Sequence, residues 1–147
     1  IEPDTNNFSW LEKNTRMYSE ITPIKGGLWN TDSFLLINDE GWGTRGFMVE
    51  EVDKESTETI KGYSVETLIA NYNIDTIDIF KIDIEASEKE LFEKNYDSWL
   101  PKTKCLIIET HDRMKPGCSA SVLNTIRKYN FEKFESGENT IFVNKSL

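Results

Sequence analysis

Cysteine is almost absent, with Cys105 and Cys118 the only two in 147 residues. Two thiols in a chain of this length make no disulfide framework, so the composition points to a reducing compartment. Cys105 lies in the apolar run Cys105-Leu106-Ile107-Ile108 and reads as a small buried hydrophobe. No stretch approaches the roughly 18 to 20 apolar residues that cross a bilayer, and no basic-then-apolar leader opens the chain. The expectation is a cytoplasmic protein without a membrane partner. Basic residues are also scarce, 17 Lys and Arg against 26 Asp and Glu for a net charge of -9, and they are scattered singly. Phosphate binding needs a concentrated basic surface, so nucleic acid is not an expected partner. What is present is a core: 37% hydrophobic and 12% aromatic residues exceed what a disordered chain carries, even beside 29% charged residues. Residues 1–147 therefore read as a single domain.

The opening Ile1-Glu2-Pro3-Asp4 reads as a strand end and a turn, after which Asp4 or Thr5 caps a helix carrying Phe8 and Leu11. A short strand is expected over residues 21–25, stopped by Gly26-Gly27. Residues 34–37 and 47–52 are β-branched and aromatic, and a glycine-rich segment between them predicts a hairpin. Ser64 should start a helix with Val65, Leu68, Ile69 and Tyr72. The second half has the clearer pattern. Residues 77–84 (IDIFKIDI) read as a strand, and Ser87 with Glu90 reads as a capping box for a helix with Leu91, Phe92 and Trp99, ended by Pro101. Residues 105–109 read as a strand buried on both faces of a parallel sheet. Residues 119–129 have helical spacing at Val122, Leu123 and Ile126, and residues 131–136 and 140–143 close the chain as a hairpin. This order predicts an α/β fold with right-handed crossovers.

In open parallel sheets, ligands bind beyond the carboxyl ends of the strands. Here those ends carry Glu2, then Asp83 and Glu85, then Glu109, His111 and Asp112, so several carboxylates and the only histidine converge. Acids at helix starts also serve as plain caps, and both readings stand for Glu85. Lys81, expected inside a buried strand on the same side as Asp83 and Glu85, would neutralise them. Residues 41–46 (GWGTRG) match G-x-G-x-x-G, the pattern of a nucleotide-binding loop. That motif works only before a helix N-terminus, and Phe47-Met48-Val49-Glu50-Glu51-Val52 favours a strand.

Residues 77–88, Ile-Asp-Ile-Phe-Lys-Ile-Asp-Ile-Glu-Ala-Ser-Glu, resemble the FkbM methyltransferase signature I-D-x-L-K-x-D-x-E-G-x-E. Residues 105–111 (CLIIETH) are similar to that family's next strand. Ile1-Glu2-Pro3-Asp4 with Asn7, Phe8, Leu11 and Asn14 resembles its E-P-x-x-x-x-F-x-x-L-x-x-N segment, and residues 26–29 (GGLW) its short motif after the third strand. Ala86 departs from the usual glycine, which asks for a slightly less tight turn. The family's D-x-G-A-N-x-G segment, which forms the first strand and the loop cradling the cofactor, is not among these residues.

The resemblance implies a Rossmann-like class I methyltransferase sheet, mostly parallel with a C-terminal antiparallel hairpin, lacking the first strand and glycine-rich loop. It implies S-adenosylmethionine as cofactor and methylation of a hydroxyl on a sugar or natural-product-like small molecule. Glu2 would hold the ribose hydroxyls, Gly27, Leu28 and Trp29 the adenine, and Asp83 the junction of cofactor and acceptor. His111 is the first candidate base, with Glu85 or Asp83 the second. Asp83, Glu85, Glu109 and Asp112 could instead hold Mg²⁺, but with His111 read as the base no metal ligand is assigned. Without its first strand, the strand over residues 77–84 would keep an open edge that invites a homodimer, and residues 1–147 alone would bind the cofactor weakly or not at all. The competing readings are a non-catalytic remnant and a nucleotide-binding domain built on residues 41–46.

Overall fold

Helix α1 (Thr5–Thr15) begins where a capping carboxylate begins it. In the computed structural model, which describes residues 1–39 and 47–147, Asp4 accepts from the amides of Asn6 and Asn7, both at 2.9 Å. Ser64 does the same for α2 (Val65–Tyr72), accepting from the amide of Thr67 at 3.0 Å, and Asn73 ends that helix in the left-handed region.

The strands form two four-stranded sheets. The first contains β1 (Gly27–Trp29), β2 (Ser33–Asp39), β3 (Phe47–Val52) and β4 (Thr59–Ser64), in the order β1-β4-β2-β3. Strand β1 runs parallel to β4, and β2 is antiparallel to both β3 and β4. The expected pairing of β2 with β3 is present. The strand expected over residues 21–25 is not: only Lys25 makes a β-bridge, with Glu2, and the strand starts after it. Gly26-Gly27 lead into β1 instead of stopping a strand, because β4 crowds Gly26 and the Leu35 side chain of β2 crowds Gly27. A Cβ on Gly26, at φ 149°, would lie 2.5 Å from the Lys61 carbonyl oxygen, and one on Gly27 would lie 2.7 Å from Leu35 Cδ1. Strand β4 itself is unexpected from sequence. Residues 41–46 lie outside the described residues, but Phe47–Val52 is a strand, so the helix that a dinucleotide loop requires does not follow them.

The second sheet contains β5 (Ile77–Ile82), β6 (Thr103–Glu109), β7 (Phe131–Ser136) and β8 (Asn139–Asn144), in the order β5-β6-β8-β7. Strands β5 and β6 are parallel, and β8 is antiparallel to β6 and β7, as the sequence predicts. Strand β5 ends two residues early, at Ile82. Ile82, Leu106, Ile108 and Phe142, each at most 1% exposed, pack with Leu91 of α3 (Glu88–Leu91) and with Val122 and Ile126 of α4 (Cys118–Ile126). Trp99 meets Phe80 and Phe92 edge-on, at centroid distances of 5.4 and 5.5 Å. Val65 of α2 and Leu28 of β1 belong to the same core, so the two sheets share one apolar interior. Polar ties reinforce the join: Asn30 Nδ2 donates to the Glu90 carbonyl at 2.8 Å, and Asn95 Nδ2 to the Asn30 carbonyl at 2.9 Å.

Three expectations fail for physical reasons. Helices α2, α3 and α4 all feed one core, so the opposite face of the second sheet is only partly covered. Cys105 is therefore half-buried, Ile79 is 66% exposed and Lys81 is exposed, where two-sided burial was expected. The Ser87–Glu90 capping box does not form. Ser87 sits at φ -87°, ψ 0°, outside the extended region a cap needs, and Glu90 instead pairs with Lys115. The helix expected to run through Trp99 to Pro101 stops at Leu91, and Pro101 falls in a separate 3₁₀ turn, Leu100–Lys102. Among the described residues, no helix is long and apolar enough to cross a membrane.

Phe142 and Phe134 lie on neighbouring strands, one buried and the other 47% exposed. Phe142→Ala should lower the unfolding free energy by about 3–5 kcal/mol, while Phe134→Ala should cost less than about 1 kcal/mol. Urea unfolding measures both, and equal losses would contradict this placement of the core.

Candidate active site

Strands β5 and β6 are parallel, so both release the chain at the same edge of the sheet. Beyond β5 the chain passes Asp83 and Ile84, then turns sharply. Glu85 and Ala86 are both left-handed, at φ 47° and 74°, a conformation that costs a non-glycine residue roughly 1–2 kcal/mol. The turn is thus as tight as a glycine would make it, and Ala86 bears the strain that sequence reading took to be relaxed. It delivers Glu88 as the first residue of α3, with its side chain fully buried.

A buried carboxylate is costly unless paired and hydrogen-bonded. The Glu88 carboxylate accepts from the Ala86 amide at 3.3 Å and from the His111 amide at 3.4 Å, and its Oε1 lies 2.9 Å from His111 Nδ1. A carboxylate only accepts, so Nδ1–H donates to it and Nε2 is left outside that bond. Nε2 lies 3.4 Å from Glu85 Oε2 and 3.7 Å from both Asp83 Oδ1 and Glu109 Oε1. His111 lies two residues past β6, and its side chain is 14% exposed. The hydrogen bond to Glu88 raises the imidazole pKa above its ordinary value, with burial opposing it. Burial likewise raises the Glu85 carboxyl, with the imidazole's charge pulling it back. Lys81 reaches Asp83 Oδ2 at 3.4 Å from the exposed side, a contact worth little. The neighbouring Cys118 thiol, pushed up to about 12 by burial and then by Glu88, is chemically quiet.

Two depressions flank this cluster. One, of about 340 Å³, is lined by Ile1, Glu2, Gly27, Leu28, Asp83 and Glu85 among others. The second, of about 410 Å³, is lined by residues 109–114 and Glu138, and so includes Glu109 and His111. The cluster forms the seam between them. The four residues expected to touch cofactor, Glu2, Gly27, Leu28 and Asp83, are thus gathered in one cavity. Trp29 is not: it is buried, with its ring nitrogen donating to Glu51 at 3.2 Å. Asp112 also stands apart, its carboxylate accepting from the amides of Gly117 and Ser119 at 3.1 Å. The glycine at 27 is required by Leu35 rather than by any ligand, although its backbone lines the cavity. The donor set fits a nucleoside with a ribose diol. Glu2 Oε1 accepts from the Asp4 amide at 2.8 Å, which fixes a carboxylate at the cavity wall.

Sequence reasoning gave Glu88 no role. The signal was present, because Glu88, Leu91 and Phe92 share one helical face and an acid on an apolar face must find a partner.

The family description "Methyltransferase FkbM domain" matches residues 1–133, and the chain belongs to that family. No curated protein and no solved structure gives a significant match.

Glu88→Gln replaces one acceptor by an amide that faces the His111 N–H groups. It should destabilise the protein by about 1.5–3 kcal/mol, whereas Glu93→Gln on the exposed side should stay within about 0.5 kcal/mol. Thermal unfolding compares the two, and equal midpoints would remove Glu88 from its supporting role.

Proposed function

We propose that this chain is an S-adenosylmethionine-dependent methyltransferase acting on a hydroxyl of a sugar or natural-product-like small molecule, built on a Rossmann-like sheet. The observation that carries this reading is the seam: a cavity with a fixed carboxylate at one end meets, at Asp83 and Glu85, an imidazole that opens into a second depression. A volume of about 340 Å³ lies within the range of small-ligand sites. Family membership supports methyl transfer in general terms.

When bound, the cofactor supplies an electrophilic methyl group on a sulfonium. The chain's own residues do the remainder. Glu2 accepts hydrogen bonds from the ribose diol, and the backbone at Gly27 and Leu28 borders the adenine. Asp83 and Glu85 place negative charge beside the sulfonium. His111, with Nδ1–H committed to Glu88, would offer Nε2 to the acceptor hydroxyl and take its proton as the new C–O bond forms and the methyl's bond to sulfur breaks, the sulfonium leaving as a neutral thioether. A positioned base of this kind contributes roughly 10² to 10⁴ in rate, and alignment of the two reactants supplies much of the rest. A net charge of -9 suits a neutral polar acceptor better than a polyanion. The two free cysteines, one of them buried, suit a reducing, cytoplasmic setting.

Two measurements on the full-length gene product test the reading. Glu2→Ala should weaken S-adenosylmethionine binding roughly ten- to a hundred-fold, the loss of one charge-assisted hydrogen bond. Unchanged affinity by calorimetry would take Glu2 out of the site. His111→Ala should lower turnover by about 10² to 10⁴ while cofactor affinity changes by less than about threefold. A normal rate would show that no proton passes through His111.

A further inference from the structure

We infer that Asp83, Glu109 and His111 form a binding site for a divalent first-row transition-metal ion, with Glu88 as the buried support that orients the imidazole.

The first argument is distance. One ligand atom from each of the three residues lies within 4.8 Å of the others. His111 Nε2 lies 3.7 Å from both Asp83 Oδ1 and Glu109 Oε1, too far for a hydrogen bond. Metal bonds of about 2.1 Å at tetrahedral angles put neighbouring ligand atoms about 3.4 Å apart, and wider angles put them farther. The two separations from Nε2 fall within the span of such a shell. Glu85 Oε2, at 3.4 Å from Nε2, lies close enough to join or to hold a bound water.

The second argument is the orientation of the ring. With Nδ1–H donated to Glu88, a neutral His111 aims the lone pair of Nε2 at three carboxylates. Lone pair against anion is repulsive, so the arrangement favours a positive centre at Nε2, which a bound ion or a proton on the ring can supply. A carboxylate behind the far nitrogen of a metal-bound histidine is the recurrent support for such a ligand, fixing tautomer and ring angle. Glu88 has that position and is fully buried, so its placement does not depend on solvent.

The third argument is rigidity. Asp83 and Glu109 sit at the ends of two adjacent strands with fixed parallel register, Ile82 opposite Ile108, so their spacing is set by the sheet rather than by a loop. The donor set also narrows the ion. Two carboxylates alone would suit Mg²⁺ or Ca²⁺, but an imidazole among them favours Mn²⁺, Fe²⁺ or Zn²⁺.

This inference goes beyond methyl transfer and shares one atom with it, Nε2 of His111, which cannot be base and ligand at once. With an ion bound, Nε2 is a ligand, and the ion polarises whatever oxygen enters from the Glu109–Met114 side. Loss of turnover in His111→Ala is compatible with either role, so the deciding test is binding itself. Mn²⁺ alone is titrated into the full-length protein without cofactor and followed by electron paramagnetic resonance. The expected result is one site per chain, weakened at least about tenfold by Asp83→Asn or by Glu109→Gln and unaffected by Asp97→Asn, with Zn²⁺ competing and Mg²⁺ at equal concentration not. Glu88→Gln should weaken it about 10- to 100-fold if the variant remains folded. Binding weaker than about 1 mM, or binding that survives Asp83→Asn and Glu109→Gln together, would overturn the site. Displacement by equimolar Mg²⁺ would overturn the part assigned to His111. Failure to bind Mn²⁺ in a protein that still methylates would leave the methyl-transfer reading standing while this one falls.

Discussion

A carboxylate that has lost all contact with water has to be compensated where it stands, and Glu88 is such a group. Its compensation comes from the Ala86 amide on one side and from the His111 amide and ring on the other. Those donors lie on the chain leaving β5 and on the chain leaving β6, so satisfying Glu88 brings two strand ends to one point. The left-handed pair at Glu85 and Ala86 is the conformational cost of this arrangement, since only a reversal there puts Glu88 inward. Cys118, buried at the start of α4 with its thiol toward the Ala86 carbonyl at 3.6 Å, holds the turn from behind.

The geometry of the site follows from that constraint. Once the imidazole is held by its Nδ1–H, Nε2 must face the seam, and the carboxylates of Asp83, Glu85 and Glu109 surround it. The first sheet contributes differently. Strand β1 and the Glu2–Lys25 bridge bring a fixed carboxylate and bare backbone to the same cavity, and the core shared by Leu28, Val65 and the second sheet keeps that wall in place. Chemistry is thus placed where rigid elements end, and access is supplied from either side.

Much of this was legible in the sequence because the second half obeys simple periodicities. An alternating run over Ile77–Ile82, an apolar run over β6, helical spacing at Val122 and Ile126, and a glycine between two β-rich segments each have one natural structure. The first half was harder. Thr59–Ser64 becomes a strand although it carries a lysine and a glycine, because Gly62 lets it approach Ser33 and Leu35. Gly26-Gly27 were read as a stop signal for the same reason in reverse, since their need is a tertiary contact that local pattern does not show. His111, Asp83 and Glu85 were legible as strand-end residues, but Glu88 was not. Its importance comes from burial, and burial is decided by a turn whose left-handed residues, Glu85 and Ala86, are not glycines.

Because His111 is the only histidine in the chain, its ring nitrogens can be observed without ambiguity. The most direct test of the account is therefore the nitrogen-15 spectrum of the imidazole, recorded in metal-free protein at a pH where the ring is neutral. If Glu88 holds the ring, Nδ1 carries the proton in a single tautomer and Nε2 alone shifts as the ring is charged or takes a ligand. A ring protonated on Nε2, or one exchanging freely between tautomers, would contradict the claim that Glu88 organises this site.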